Sequence, residues 1–121
     1  MKIFIILFCL FPAIAFAETD TFSCNYTSYS DQDGNHKIKN KFELNFIVDK
    51  ESGKSYLLGN NGSSEVEMLV SEGQIAFIEI SKSGNIITTA IDSKLNSVHS
   101  RNSVLLGEIL PSQYYGKCVM K

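Results

Sequence analysis

An all-β fold is predicted: one small antiparallel barrel or sandwich of about eight strands, closed by a single disulfide. Three observations in the 121-residue chain point there. Beyond residue 17 the apolar residues recur with a period of two rather than 3.6, the signature of half-buried strands. Glycine- and polar-rich turn signals interrupt that alternation every ten to twelve residues or so, the rhythm of an up-and-down meander. Two cysteines, Cys24 and Cys118, stand near the two ends of the alternating region.

The elements follow in order. Residues 1–17 are unlike the rest: Lys2, an unbroken apolar run from Ile3 to Phe11, the helix breaker Pro12, then Ala15-Phe16-Ala17 before Glu18. This is the anatomy of a secretory signal peptide, too short for a bilayer span of roughly 20 residues. Cys9 sits inside the apolar run behind Phe8, which does not fit a lipidation site. Cleavage after Ala17 leaves residues 18–121 as a single β domain, removes Cys9 and Lys2, and leaves an exported chain with an even cysteine count. An even count in an oxidising compartment reads as a disulfide, Cys24 to Cys118.

Strands are expected at Phe22–Tyr29, Lys39–Asp49, Ser55–Gly59, Ser64–Val70, Gln74–Ser81, Asn85–Asp92, Ser97–Leu106 and Gln113–Met120. In the second, Phe42, Leu44, Phe46 and Val48 share one face, with Lys41, Glu43 and Asn45 on the other. In the fourth, Val66, Met68 and Val70 point inward and Glu65 and Glu67 outward. The fifth and sixth are apolar on both faces, which predicts a central or doubly covered position. Lys82-Ser83-Gly84-Asn85 joins them as a hairpin turn. Other turns are expected at Asp31 to Asn35, Lys50 to Gly53, Gly59 to Gly62, Ser71 to Gly73 and Ser93 to Ser97.

Composition narrows function by exclusion. A net charge of −2 with 20% charged residues shows no basic excess for nucleic acid, and 11% aromatics argue against disorder. Nucleophilic catalysis needs a base beside its nucleophile. The two histidines, His36 and His99, are far apart, and no Gly-x-Ser-x-Gly elbow is present. No zinc-type ligand spacing occurs, so neither a metal nor a cofactor is expected. Gly53-Lys54-Ser55 lacks the glycine a phosphate loop would need, because Val48 occupies that position. The sequence predicts no enzyme.

The most unusual stretch is Val98-His99-Ser100-Arg101-Asn102-Ser103-Val104. On a strand, His99, Arg101 and Ser103 form one polar face carrying the chain's only arginine. Tyr114 and Tyr115 follow. An arginine supplies a planar bidentate fork and a tyrosine a rigid amphipathic surface. His99, Arg101, Tyr114 and Tyr115 are therefore the candidate binding rim. The alternative is structural, with His99 and Arg101 satisfying a carboxylate such as Glu79.

Phe22-Ser23-Cys24-Asn25-Tyr26, Val98-His99-Ser100-Arg101 and Ser112-Gln113-Tyr114-Tyr115-Gly116-Lys117-Cys118 together resemble a family of small exported bacterial β-proteins without assigned activity. Ser52-Gly53-Lys54-Ser55-Tyr56 is similar to the Ser-Gly-x-x-Tyr motif of periplasmic C-type lysozyme inhibitors, which are small β-barrels. In that family the motif lies in the later half of the chain, and its second, lysine-bearing motif has no match here. The resemblance implies a lysozyme-binding turn at Ser52, Gly53, Lys54 and Tyr56.

The expectation is thus an exported, periplasmic or secreted, non-enzymatic β-barrel that binds an unknown protein or small ligand. It has no nucleic-acid partner and no transmembrane segment after cleavage. A lysozyme inhibitor and a structural envelope component are the competing readings.

Overall fold

In the computed structural model, which describes residues 18–59 and 62–121, the alternation is realised as eight strands. They are β1 (Thr19–Asp31), β2 (Gly34–Asp49), β3 (Ser55–Gly59), β4 (Gly62–Ser71), β5 (Gln74–Ile80), β6 (Ile86–Asp92), β7 (Asn96–Leu105) and β8 (Glu108–Met120). Each pairs antiparallel with the next, and β8 returns to pair with β1, so the sheet closes into a barrel rather than a sandwich. The expected signal segment, and the Asn60-Asn61 part of the β3–β4 turn, lie outside the described residues.

The closing seam is covalent. Cys24 opposes Cys118 in the β1–β8 ladder and is disulfide-bonded to it, linking positions 94 residues apart. Inside, Phe46 stacks on Phe77 at 4.4 Å between ring centroids, with Phe22 edge-on to Phe77 at 6.1 Å. Leu44, Val48, Leu57, Val66 and Ile91 complete this lower core. In an up-and-down barrel alternate turns share an end. The β2–β3, β4–β5 and β6–β7 turns form a lower end, and the other four turns an upper one.

Strand existence and order follow the alternation, but three expectations need correction. β2 and β8 each start earlier than expected, at Gly34 and Glu108, because their hairpins are tight. The β7–β8 turn is Leu106-Gly107, both with positive φ, 53° and 80°, a backbone hand that matches strand twist. Pro111 does not end β8. It pairs with Asn102 one rung beyond Ser112, the last β8 residue paired with β1, so its missing N–H leaves the β1–β8 ladder intact. The second correction concerns β5 and β6: each is central, paired on both sides, but the outer face is not covered, with Ala76, Ile78 and Ala90 half-buried and Ile80 and Ile86 exposed. The third is Val70, expected in the core but 67% exposed beyond the lower rim.

Beyond Ile87 and Asp31, β7 and β8 continue alone as a two-stranded arm. Val104, Leu105 and Ile109 are exposed on it, with Leu106 at the tip 96% exposed.

Two features shape the upper end. The β1 register shifts between Tyr26 and Ser28: Tyr26 opposes Phe42 and Gly116, whereas Ser28 opposes Lys37 and Tyr115. The extra β2 residues form a bulge in which Lys39, Asn40 and Lys41 are exposed and Ile38 packs on the core. At this bulge β8 runs so close to β1 that a Cβ on Gly116 would overlap the Asn25 carbonyl oxygen and lie 2.7 Å from Tyr26 Cα. Neither obstacle is a flexible side chain. Gly116→Ala is therefore expected to destabilise the barrel by about 1–3 kcal/mol, the usual range for forced overpacking. Urea unfolding measures it, and an unchanged midpoint would show that the seam relaxes freely.

The second feature is the shortness of β3. It pairs with β2 only from Asn45 to Val48, so among the described residues β2 from Leu44 upward has no strand beside it on that flank. The wall is open there. Among the described residues no helix is long and apolar enough to cross a membrane.

Candidate functional site

The gap beside β3 opens into a cleft of about 340 Å³ at the upper end of the barrel. Phe42 and Leu44 from β2, Leu57 from β3 and Ile87 from β6 give it apolar walls, and Ser63, Ser64, Glu79, His99 and Arg101 give it polar ones. The size and mixture are those of a small-molecule site.

The polar groups arrive there by strand register. Glu79 opposes Ile87, and Ile87 opposes Arg101. One rung lower, Phe77 opposes Thr89, Thr89 opposes His99, and His99 opposes Tyr114. Phe77, Thr89 and His99 are buried, so both rungs present these residues to the interior. The polar face of β7 therefore points into the barrel, and Val98, Ser100 and Asn102 take the outer face.

His99 is 3% exposed, and its Nδ1 is 2.7 Å from Thr89 Oγ1. Tyr26, Phe42 and Tyr114 surround its ring at centroid distances of 5.8, 6.1 and 6.0 Å. Burial pushes its pKa down to about 4, and the Arg101 charge adds to the shift, so the imidazole is neutral at pH 7. Burial likewise raises the Tyr26 phenol to about 12, partly opposed by its 2.9 Å hydrogen bond with Ser97 Oγ. These groups form a hydrogen-bonded polar layer at the base of the cleft.

Glu79 and Arg101 differ from them. Glu79 Oε1 accepts a hydrogen bond from Ser64 Oγ at 3.0 Å. Arg101 forms no ion pair among the described residues, including with Glu79. Two strand spacings separate their backbones, roughly 10 Å, with Ile87 between them. The proposed structural pairing of Arg101 with Glu79 is thus not made. Glu43, at the lip, is engaged by Ser23 Oγ at 2.7 Å and by Lys41 at 3.1 Å.

Of the four rim candidates, the structure brings three together. His99 and Arg101 line the cleft, and Tyr114 packs beside it, stacked on Phe42 at 4.8 Å and on Tyr29 at 5.3 Å. Tyr115 alternates to the outer face. Its hydroxyl donates to Gln113 Oε1 and pairs with Ser30 Oγ, both at 3.0 Å. The rival turn, Ser52 to Tyr56, lies at the opposite end of the barrel. There Gly53 N–H donates to the Asp49 carbonyl at 2.8 Å, and Ser52 Oγ accepts from Lys54 N–H at 3.2 Å. Gly53 takes φ 74°, the left-handed geometry that favours glycine. Tyr56 opposes Ile47 and Glu65, on the outer face.

Sequence reasoning undervalued Glu79, Ser64 and Phe42 as site residues. A signal for Glu79 was present: it follows Ile75 and Phe77 at a spacing of two, an acid on an inward apolar face. Among the described residues no group of three or more His, Cys, Asp or Glu side chains converges as a metal site would require.

Comparison with protein-family models, with curated proteins and with solved structures returned no match.

Proposed function

We propose that this protein is an exported, non-enzymatic β-barrel that binds a small organic ligand in the cleft beside β3. The observation that carries the reading is the placement of Arg101 on the inward face, lining an open cleft without an ion-pair partner among the described residues. Charges directed into a barrel are costly unless something compensates them. A ligand group bound there would supply that compensation. A disulfide at the seam supports the export reading, because such bonds persist in oxidising compartments. The hydroxyl bonded to His99 belongs to Thr89, which is buried and does not line the cleft.

The test is to express the whole chain in a bacterium, recover it from the periplasm, and record its mass natively and after denaturation. The expected result is a polypeptide beginning at Glu18 that carries a small molecule released on unfolding. Ser63→Trp, which plugs the lip of the cleft, should abolish the adduct, whereas Lys54→Ala at the opposite end should leave it. No adduct, or one that survives Ser63→Trp, would refute the cleft. The lysozyme-inhibitor reading would use the Ser52–Tyr56 turn. The hydrogen bonds of that turn account for Ser52 and Gly53 without any partner.

A further inference from the structure

We propose that the ligand of this cleft is a zwitterion the size of a short apolar peptide, its carboxylate on Arg101 and its ammonium on Glu79. The inference rests on the cleft being a binding site and specifies what it takes.

The charge inventory of the cleft argues for both ends at once. His99 is neutral and bonded to Thr89, so Arg101 is the only positive group among the residues lining the cleft at neutral pH. Of the two carboxylates there, Glu43 is already engaged by Ser23 and Lys41. Glu79 uses Oε1 to accept from Ser64 and keeps the rest of its acceptor capacity open. That contact fixes the carboxylate's orientation without neutralising it. A purely anionic ligand would satisfy Arg101 and be repelled by Glu79, and a purely cationic one would meet the reverse. A molecule bearing both charges satisfies each and leaves no desolvated charge behind.

Geometry sets the spacing. Glu79, Ile87 and Arg101 occupy consecutive strands on one rung, roughly 10 Å across at the backbone. Ile87 forms an apolar floor between the charges, and Phe42 and Leu57 form the facing wall. The volume of about 340 Å³ suits a free amino acid of large side chain or a dipeptide rather than a longer chain.

The experiment uses three probes with the full exported protein: leucyl-phenylalanine, its C-terminal amide, which lacks the carboxylate, and its N-acetyl derivative, which lacks the ammonium. Binding is read as shifts of backbone amide resonances for residues lining the cleft. The dipeptide should bind about tenfold or more tightly than either derivative, as expected for losing one charge-assisted hydrogen bond. Arg101→Gln should erase the preference for dipeptide over amide and keep the preference over the acetyl form. Glu79→Gln should do the opposite. Equal binding of all three probes to the native protein, or discrimination that survives both substitutions, would overturn the zwitterion. If either variant fails to fold, the probe series on the native protein decides alone. A neutral aromatic probe, N-phenyl-1-naphthylamine, separates the two levels. Cleft shifts with it but with none of the peptides would sink the zwitterion and keep the binding reading. No cleft shifts with any probe would sink both.

Discussion

Replacing Cys24 and Cys118 together by alanine is expected to lower the stability of the barrel by about 2–5 kcal/mol. The bond links positions 94 residues apart, so it encloses nearly the whole described chain. In the chain-entropy account a loop near that length restricts the unfolded ensemble by about 4–5 kcal/mol. The bond also joins β1 to β8, the one strand pairing in the barrel that no short turn brings together. Without it, closure must be won against the full loop entropy, and two exposed strand edges await other chains. Alanine is the appropriate replacement because both cysteines are buried, at 0% and 3% exposure, and serine would strand two hydroxyls in the core. Equilibrium urea unfolding of the oxidised protein and the double variant measures the difference. Equal midpoints would show that the ladder alone holds the seam.

The second large effect is a loss of stability on mild acidification that traces to His99. In the unfolded chain its imidazole titrates near the ordinary value of about 6.5, and in the barrel burial holds it at about 4. Above pH 6.5 both states are neutral and the group contributes no pH dependence. Between pH 6.5 and 4 the unfolded state binds a proton that the folded state refuses, so stability falls as pH falls, by roughly 3 kcal/mol across the window. The charged and titratable groups around it are Arg101 on its own strand, Tyr26 on β1, Tyr114 on β8 and Glu79 across the cleft. None of them offers His99 a bonded carboxylate among the described residues.

Several carboxylates act lower in pH. Asp31, held by His36, Glu43 by Ser23, Asp49 by Ser52 and Asp92 by Asn96 are all lowered in pKa. Their stabilisation is present above the ordinary carboxylate range and is lost only as pH falls below it. Unfolding free energies at pH 7.5, 6 and 5 therefore span the His99 window above the range of these carboxylates. His99→Gln, which keeps a hydrogen-bonding group beside Thr89, should flatten the profile across that interval. A slope as steep as the native one in the variant would assign the acid sensitivity elsewhere.

The Gly116 substitution tests a different link, from a local irregularity to closure. Nothing in Tyr115-Gly116-Lys117 marks a close approach. Gly116 is demanded by the bulge on the facing strand, a feature of the pairing rather than of either strand alone.

The amino-acid sequence by itself determined the β class, the number and order of the strands, and the disulfide pairing. The physical reason is locality. A period-two alternation such as Phe42-Leu44-Phe46-Val48 states which face is buried, and glycine-bearing turns state where the chain reverses. Within the alternating region Cys118 is the one other cysteine, so only one partner offered itself to Cys24. Tertiary structure alone decided that the sheet closes on itself, that His99 and Arg101 face inward while Tyr115 faces out, and that Glu79 stands beside Ile87 in the same rung as Arg101. Those outcomes depend on register between strands far apart in sequence, set by the β1–β2 bulge, the covalent seam and the brevity of β3. Each strand's pattern names two faces, but only pairing across the closed barrel determines which residues from different strands meet, and so where the cleft opens.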